Sequence, residues 1–289
     1  MSAPTTVHPG ALKPATRLHK RLSSLALVLA LTLIALIQLL PFYIAVNTAF
    51  KPRTDLSAQW APPTEIFWGN FQTAISDGNI LRSIFNSALV TGVSTVLVCL
   101  LGALAAYPLA RLHTRLNKSI MLMVMALIMV PPLSILVPLY TMMNQLQAVN
   151  TYWGIIALMV TGQLPLSIFL YVAFMRSIPE SLEEAAAMDG ANVLQVFFRI
   201  VLPLLKPVTA TVAILGGVGI WNEYALSVYM LTDPSVQTIA PAIGTFFSSQ
   251  GSNLGAGASA SLMAAAPVVA AYLFLQKYFM KGMVAGSEK

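Results

Sequence analysis

Charged side chains are scarce in this sequence, and their scarcity excludes an ordinary soluble protein. Only 9% of the 289 residues are Asp, Glu, Lys or Arg, and 57% are hydrophobic, whereas a typical globular protein carries about 25% charged residues. The 16 basic and 10 acidic residues cannot cover the surface of a soluble globule of this size. The composition therefore predicts an all-α integral membrane protein that crosses the bilayer several times.

Cysteine and histidine are also rare, which argues against a disulfide framework and a metal centre. Cys99 is the single cysteine and lies in an apolar run. The three histidines, His8, His19 and His113, are scattered through polar or basic segments without the spacing of a ligand pair. We therefore expect no metal site in this chain.

Long stretches without charge predict six membrane-spanning helices. The longest, 119–175, exceeds the roughly 20 residues that one span needs, so it must hold two. Pro131 and Pro132 fall inside the third predicted span and predict a kink there. The predicted spans are 23–46, 84–109, 119–142, 153–175, 207–230 and 260–280, with tails at 1–22 and 281–289.

The basic residues indicate the orientation of these spans. Thirteen of the 16 fall on one side of the predicted topology, and the positive-inside rule assigns that side to the cytoplasm. An even number of spans also requires both termini to share a side. We therefore expect cytoplasmic termini, and the positive net charge does not require a nucleic-acid partner. The residues on that side are Lys13, Arg17, Lys20, Arg21, Arg111, Arg115, Lys118, Arg176, Arg199, Lys206, Lys277, Lys281 and Lys289.

One predicted cytoplasmic connection, 176–206, is too long for a turn and too regular for a linker. Pro179 suits a helix start, and the acidic side chains after it suit the positive end of a helix dipole. Gly190 is a natural stop for that helix, and Asn192 with Gln195 can cap a second one. The pattern predicts a helix–glycine–helix element, in which Glu180 and Glu183 belong to a solvated face.

The second helix of that element carries an apolar stripe. Leu194, Phe197, Phe198 and Val201 recur at helical spacing and predict a face that packs inward. Pro203 and Pro207 then turn the chain into the fifth span. The small and acidic groups of the first helix are expected to face outward, where a soluble partner could bind them.

The same residues resemble the EAA loop of ABC importer permeases. Glu184-Ala185-Ala186 is followed at the family's spacing by Gly190 and then by Ile200-Val201-Leu202-Pro203. The segments 150–154, 221–223 and 276–286 resemble carbohydrate-importer permeases related to the maltose permease. The resemblance therefore covers nearly the whole chain and implies the six-helix type I ABC importer (MetI-like) permease fold.

The resemblance implies a role for the connection and a set of partners. Glu184, Ala185, Ala186, Asp189 and Gly190 would dock on a cytoplasmic ATPase, with Glu184 as the anchor and Gly190 as the bend. The partners would be two ATPase subunits, a second, homologous permease and an extracytoplasmic solute-binding protein in a bacterial cytoplasmic membrane. The sequence has no Gly-Lys dipeptide and hence no P-loop, so ATP and Mg²⁺ would be bound by the separate ATPase.

Trp221, Asn222 and Glu223 are candidates for the translocation pathway. Glu223 is the one acidic residue inside a predicted span, roughly 14 Å from the outer end of its helix at ~1.5 Å per residue. Such a residue needs a polar cavity or a partner. A structural role within the bundle and a role in lining the sugar path both remain open for these three residues.

The segment 232–258 resembles the third outer loop of the family, which in some members reaches into the cleft of the binding protein. Phe246, Phe247, Ser248 and Gln250 are the candidate contacts there. A flexible connection without a partner is the alternative.

The leading hypothesis is the permease subunit of an ATP-driven carbohydrate importer. Glycerol phosphate or polyamine uptake by the same machinery is an alternative, although a polyamine path should carry more acidic residues than Glu223. A self-contained channel or ion-coupled transporter predicts intramembrane charge pairs, which the sequence lacks. A membrane scaffold fits the kinked spans poorly.

Overall fold

The computed structural model describes the backbone of residues 15–247 and 253–285 and the side chains of 24–247 and 253–273. Helices make up most of this part of the chain, and it contains no strand. The α-helices are α1 (Ala15–Phe50), α2 (Gly69–Ser76), α3 (Ile80–Arg111), α4 (Arg115–Ile128), α5 (Leu136–Gln145), α6 (Tyr152–Met175), α7 (Ser181–Met188), α8 (Val193–Val196), α9 (Leu202–Leu204), α10 (Lys206–Trp221), α11 (Ser227–Met230), α12 (Ile239–Gly244) and α13 (Leu254–Ala285). Two 3₁₀ turns (Pro132–Ile135 and Thr245–Phe247) and a π turn (Phe197–Val201) complete the described elements.

Four of the described helices are long and apolar enough to cross a membrane: Ser24–Phe50, Ile80–Arg111, Tyr152–Met175 and Leu254–Leu273. Two further pairs pass the same test only if each bent pair counts as one span. The described residues thus support four to six spans. The six predicted spans and the cytoplasmic position of both termini remain predictions.

The third predicted span, 119–142, is not a straight helix. Arg115–Ile128 and Pro132–Gln145 meet at an angle of 96°, and the break lies at the Pro131–Pro132 pair. Proline lacks the N–H that would continue the helix, and its ring clashes with the preceding turn. A kink was expected here, but the bend is a near right angle.

The fifth predicted span, 207–230, ends early. α10 stops at Trp221, and the chain resumes as the short helix α11 at Ser227. Glu223 lies in the break and accepts hydrogen bonds from the backbone N–H groups of Leu226 and Ser227 at 2.7 and 2.9 Å. The expectation that Glu223 sits within a continuous helix was wrong, because its carboxylate satisfies the free N–H groups at the start of α11.

The core of the bundle is the pair α3 and α6, which run parallel and pack closely. A Cβ built on Gly102 of α3 would overlap Oγ of Ser167 on α6, so the absence of a side chain sets the spacing of the two helices. Ala103 and Ala106 of α3 and Tyr171 and Met175 of α6 are fully buried around this contact.

The two ends of α3 and α6 define the two ends of the molecule. Arg111, Met175 and α7 lie at one end, called here the α7 end. Asn86 and Tyr152, which share a hydrogen bond of 2.7 Å, lie toward the other, called here the opposite end. In contrast to this core, the 18-residue apolar window of α1 is wholly exposed within the chain, as expected of a helix that faces lipid or another subunit.

Candidate functional site

The helix α7 presents most of its surface outward. Glu184, Ala185 and Asp189 are exposed, and Met188 is 88% exposed. Ala186 is half-buried and packs against the α3–α6 core. A short helix with small and acidic residues on its free side is a surface that another protein can approach closely.

The end of α7 is fixed by Gly190, as the sequence predicts. Gly190 has φ +86°, a left-handed conformation that favours glycine. Its N–H donates to the carbonyl of Ala187, and the N–H of Ala191 donates to that of Ala186, both at 3.0 Å. This pattern is the Schellman motif, which satisfies the last carbonyls of a helix and turns the chain sharply.

The next helix begins at the predicted cap. The Asn192 side chain accepts from the Gln195 N–H at 2.9 Å, and the Gln195 side chain accepts from the Asn192 N–H at 2.9 Å. This reciprocal pair is a capping box. The coupling of a Schellman motif to a capping box holds α7 and α8 in one defined orientation.

The apolar stripe of the second helix faces inward only in part. Phe197 and Val201 are buried, but Phe198 is half-exposed and Leu194 is 65% exposed. The regular α-helix expected for the stripe is interrupted, since Phe197–Val201 forms a π turn in which Leu202 N–H donates to the Phe197 carbonyl. The helix then bends by 72° into Lys206–Trp221.

A buried ion pair attaches α7 to the core. The guanidinium of Arg111, the last residue of α3, lies 2.6 Å from Oε1 of Glu183, and Tyr107 donates to Oε2 of Glu183 at 2.8 Å. The two charged side chains are only 10% and 13% exposed. The expectation that Glu183 lies on a solvated face was therefore wrong, whereas Glu180 is 55% exposed.

Arg111 also holds the end of α6. Its Nη1 donates to the carbonyl of Met175 at 2.9 Å and its Nη2 to that of Ile178 at 3.3 Å. The sequence alone predicts for Arg111 only a role in the orientation of the spans. The available signal was an arginine at the end of one span and a glutamate in a connection on the same predicted side, but no spacing rule pairs residues this far apart.

At the opposite end, the three pathway candidates have different environments. Trp221 is buried against Ile239 and Phe246 in an apolar cluster. Asn222 is exposed, and its amide donates to the Val218 carbonyl of its own helix. Glu223 is half-buried and engaged with α11. Of the three, Asn222 alone presents an exposed side chain.

The four binding-protein candidates are also unlike one another. Phe246 is 8% exposed and packs in the apolar cluster with Trp221, so its burial corrects the expectation of a surface contact. Phe247 is half-exposed. Ser248 and Gln250 lie outside the described residues.

Buried polar groups anchor the connection that follows α11. The amide of Asn86 donates to the carbonyls of Ser235 and Gln237 at 3.1 and 2.9 Å, and Ser87 Oγ accepts from the Ile239 N–H at 2.8 Å. The Ser235 N–H donates to Asp233 and lowers the pKa of that carboxyl below its usual value. These bonds fix the path of the chain toward α12.

No group of three His, Cys, Asp or Glu side chains that could hold a metal ion occurs among the described residues. The geometry instead consists of a rigid outward-facing helix at one end of an apolar bundle and a hydrogen-bonded connection at the other.

Comparison with known proteins assigns the chain to a family. Residues 98–284 match the model of the binding-protein-dependent transport system inner membrane component, which covers more than half of the chain. The chain is a member of this permease family. The permease's α3, α6, α7 and α10 all fall within or overlap the matched region.

Two curated relatives match the permease over nearly its full length. It is 41% identical to the melibiose/raffinose/stachyose import permease MelC of Bacillus subtilis (strain 168) over 91% of this chain and 96% of that protein. It is 32% identical to the multiple sugar-binding transport system permease MsmG of Streptococcus mutans serotype c over 90% and 95%.

The fold of the permease is that of a solved ABC transporter subunit. A bacterial ABC transporter involved in the import of the acidic polysaccharide alginate matches with a TM-score of 0.74, covering 94% of this chain and 100% of that chain. The identity is 21%, so the likeness shows the fold alone. The predicted importer-permease fold class is confirmed to that extent.

Proposed function

We propose that this permease forms half of the translocation pathway of an ATP-driven importer for an oligosaccharide. An extracytoplasmic binding protein delivers the sugar, a second permease subunit forms the other half of the pathway, and two separate ATPase subunits bind and hydrolyse ATP with Mg²⁺. The complex lies in the bacterial cytoplasmic membrane, with α7 and both termini of this chain in the cytoplasm.

The sugar class is supported by the names of the relatives. MelC and MsmG are both named for the transport of sugars, and the first of them shares 41% of its residues with this chain over almost all of its length. The absence of charge from most of the span-length helices fits a neutral solute, since an ionic substrate would require charged partners in the bilayer.

The observation that carries the coupling role is the geometry of α7. Its free side is exposed, and its attached side is held by Arg111, Glu183 and the Schellman turn at Gly190. We assign the docking contact to Glu184, Ala185 and Asp189, with Glu184 accepting charge-assisted hydrogen bonds from the ATPase. Ala186 packs α7 against the α3–α6 core, and Gly190 forms the bend at the end of α7.

The opposite end supplies the candidates for contacts with the substrate and the binding protein. Asn222 has an exposed amide suited to sugar hydroxyls, while Trp221 and Glu223 shape the turn that presents it. Phe247, Ser248 and Gln250 are the residues proposed to contact the binding protein, whereas Phe246 packs in the apolar cluster with Trp221.

The experiment is purification of the affinity-tagged chain from its host, followed by identification of the bound subunits. The wild-type chain should bring down a second permease and an ATPase, and the reconstituted complex should hydrolyse ATP faster when binding protein and oligosaccharide are added. Purification as a functional single subunit, without an ATPase, would contradict the proposal.

A charge reversal locates the docking contact. Glu184→Lys should reduce ATPase recovery on the order of tenfold, because a hydrogen bond to a charged group contributes about 1.5–3 kcal/mol. Gly190→Pro should have a similar effect through loss of the bend. The matched control is Glu65→Lys, which reverses an exposed carboxylate between α1 and α2, away from α7, and should leave recovery unchanged.

A further inference from the structure

Arg111 occupies an unusual position because one guanidinium joins three segments of the chain. It ends α3, it donates to the carbonyls of Met175 and Ile178 at the end of α6, and it pairs with Glu183 of α7. Tyr107, one turn earlier in α3, adds a second bond to the same carboxylate. Both oxygens of Glu183 are therefore held by α3.

The geometry of the bonds between Arg111 and Glu183 favours a stiff connection between α3 and α7. Arg111 Nε donates to Oε1 of Glu183 at 2.8 Å, Nη2 lies 2.6 Å from the same oxygen as an ion-pair contact, and a guanidinium has a fixed planar geometry. The pair is almost completely excluded from solvent, so separating the charges would leave each uncompensated in a poorly hydrated place. Displacement of α7 should therefore displace α3.

The remaining attachments of α7 are the apolar contact of Ala186 with the core and the contacts with its chain neighbours. The helix packs against α8 and the π turn, and these lead into α10 across a bend of 72°. Without the Arg111–Glu183 pair, a movement of α7 would reach α10 along the chain, and α3 and α6 only through the apolar contact of Ala186. With the Arg111–Glu183 pair, the movement of α7 also passes through the ion pair to α3 and α6, the two most closely packed helices of the bundle.

We propose that Arg111 and Glu183 form a positioning pair. The pair transmits movement of α7 to α3 and α6 and so couples the ATPase to the translocation pathway. This role rests on the proposed function, because it requires an ATPase docked on α7. Glu184 and the exposed side of α7 bind the partner, whereas Arg111 and Glu183 face inward and carry the displacement into the bundle.

The test uses the reconstituted importer and compares matched variants. Arg111→Gln and Glu183→Gln remove the pair, and Arg111→Lys keeps the charge but loses the planar fork. Arg115→Gln and Glu65→Gln are the controls, since each changes an exposed residue of the same charge that has no contact with the Arg111–Glu183 pair among the described residues; Glu180 is not used because its carboxylate lies 3.9 Å from Nη1 of Arg111. Three quantities are measured for each: recovery of the ATPase, ATP hydrolysis, and sugar imported per ATP hydrolysed.

We expect Arg111→Gln and Glu183→Gln to keep the ATPase bound while sugar imported per ATP falls on the order of tenfold, a coupling loss in the range of about 5–150-fold. The double variant should be no worse than either single variant, because both remove the same connection. Arg111→Lys should be intermediate, and the two controls should match the wild type.

A distance measurement separates transmission from simple stability. Spin labels at Leu112→Cys and Met188→Cys, both exposed, in a Cys99→Ala background should keep one narrow distance through the ATP cycle in the wild type. In Arg111→Gln the distribution should broaden or change with nucleotide. Tyr107→Phe is a milder variant that keeps the ion pair, and it should show a smaller loss of coupling.

Normal import per ATP in assembled Arg111→Gln or Glu183→Gln would overturn the inference, and so would loss of the ATPase from both. These results are distinct from failure of the proposed function. If the wild-type chain binds no ATPase, the proposed function fails; if the wild type couples import to hydrolysis and the variants do so equally, only the role of Arg111 fails.

Discussion

Tyr152 at the start of α6 donates a 2.7 Å hydrogen bond to Oδ1 of Asn86 in α3. The amide of the same Asn86 donates to the carbonyls of Ser235 and Gln237, and its side chain is fully buried. One asparagine thus joins two long helices to a connection that is about 150 residues away in the sequence. Both N–H groups of the Asn86 amide therefore donate, and its oxygen uses one of its two lone pairs to accept.

Replacement of Asn86 should therefore destabilise the opposite end of the bundle. Asn86→Ala leaves the Tyr152 hydroxyl and the Gln237 carbonyl without this partner, whereas the Ser235 carbonyl keeps its bond from Arg82; each buried group left unsatisfied costs about 1–3 kcal/mol. The midpoint of thermal unfolding in detergent should fall. Asn222→Ala removes an exposed amide that bonds only within its own helix and should change the midpoint little; equal effects of the two changes would contradict this assignment.

The conformation of Gly190 predicts strain from any side chain, even where there is room for one. No atom lies within 4 Å of a Cβ built at Gly190, and the same holds for Gly92 in α3. Gly190→Ala should cost about 1–2 kcal/mol because a non-glycine residue is disfavoured at this φ. Gly92→Ala should be neutral or slightly stabilising, since alanine is the better helix former.

The measurement for this pair is unfolding of the purified permease together with recovery of the ATPase. Gly190→Ala should lower both, and Gly190→Asn should be milder because asparagine tolerates the left-handed region. Wild-type behaviour of Gly190→Ala would show that the bend after α7 is not required.

The close approach of α3 and α6 predicts that a second substitution can restore stability lost in a first one. Gly102→Ala should destabilise the bundle by about 1–3 kcal/mol through overpacking, because its Cβ would overlap Ser167 Oγ. Adding Ser167→Ala removes that oxygen and should restore part of the lost stability. Additive losses in the double variant, measured by thermal unfolding, would contradict the proposed contact.

Phe246 and Phe247 are adjacent, but we expect Phe246 to contribute to stability and Phe247 to contact the binding protein. Phe246→Ala should cost about 3–5 kcal/mol, as for a large side chain removed from a core, since it fills the cluster between α2, α12 and α13. Phe247→Ala should keep the stability of the wild type but weaken stimulation of hydrolysis by the binding protein. The opposite pattern would return Phe246 to the surface role first expected of it.

Local signals at the α7 end were readable from the sequence. Gly190, the Asn192–Gln195 cap and the outward position of Glu184 follow from rules that act over a few residues. The Arg111–Glu183 pair could not be predicted, because it depends on how α3, α6 and α7 meet. The sequence therefore predicts a solvated face for Glu183, whereas the structure buries its carboxylate against Arg111.

The long apolar helices were also predictable, but their interruptions were not. Pro131 and Pro132 indicated a kink without its angle, which depends on the packing of the two halves. The break after Trp221 has no proline or glycine to mark it. There Glu223 and Ser227 bond at the start of α11, and this local capping replaces the continuous helix that hydropathy alone predicts.

The most direct test of the account is a cross-link from α7 to the ATPase. A photoreactive amino acid at position 188, where Met188 is almost fully exposed on α7, should form a covalent adduct with the ATPase subunit. The same group at position 229, where Tyr229 is exposed on α11, should not. An adduct from position 229 but none from position 188 would contradict docking of the ATPase on α7.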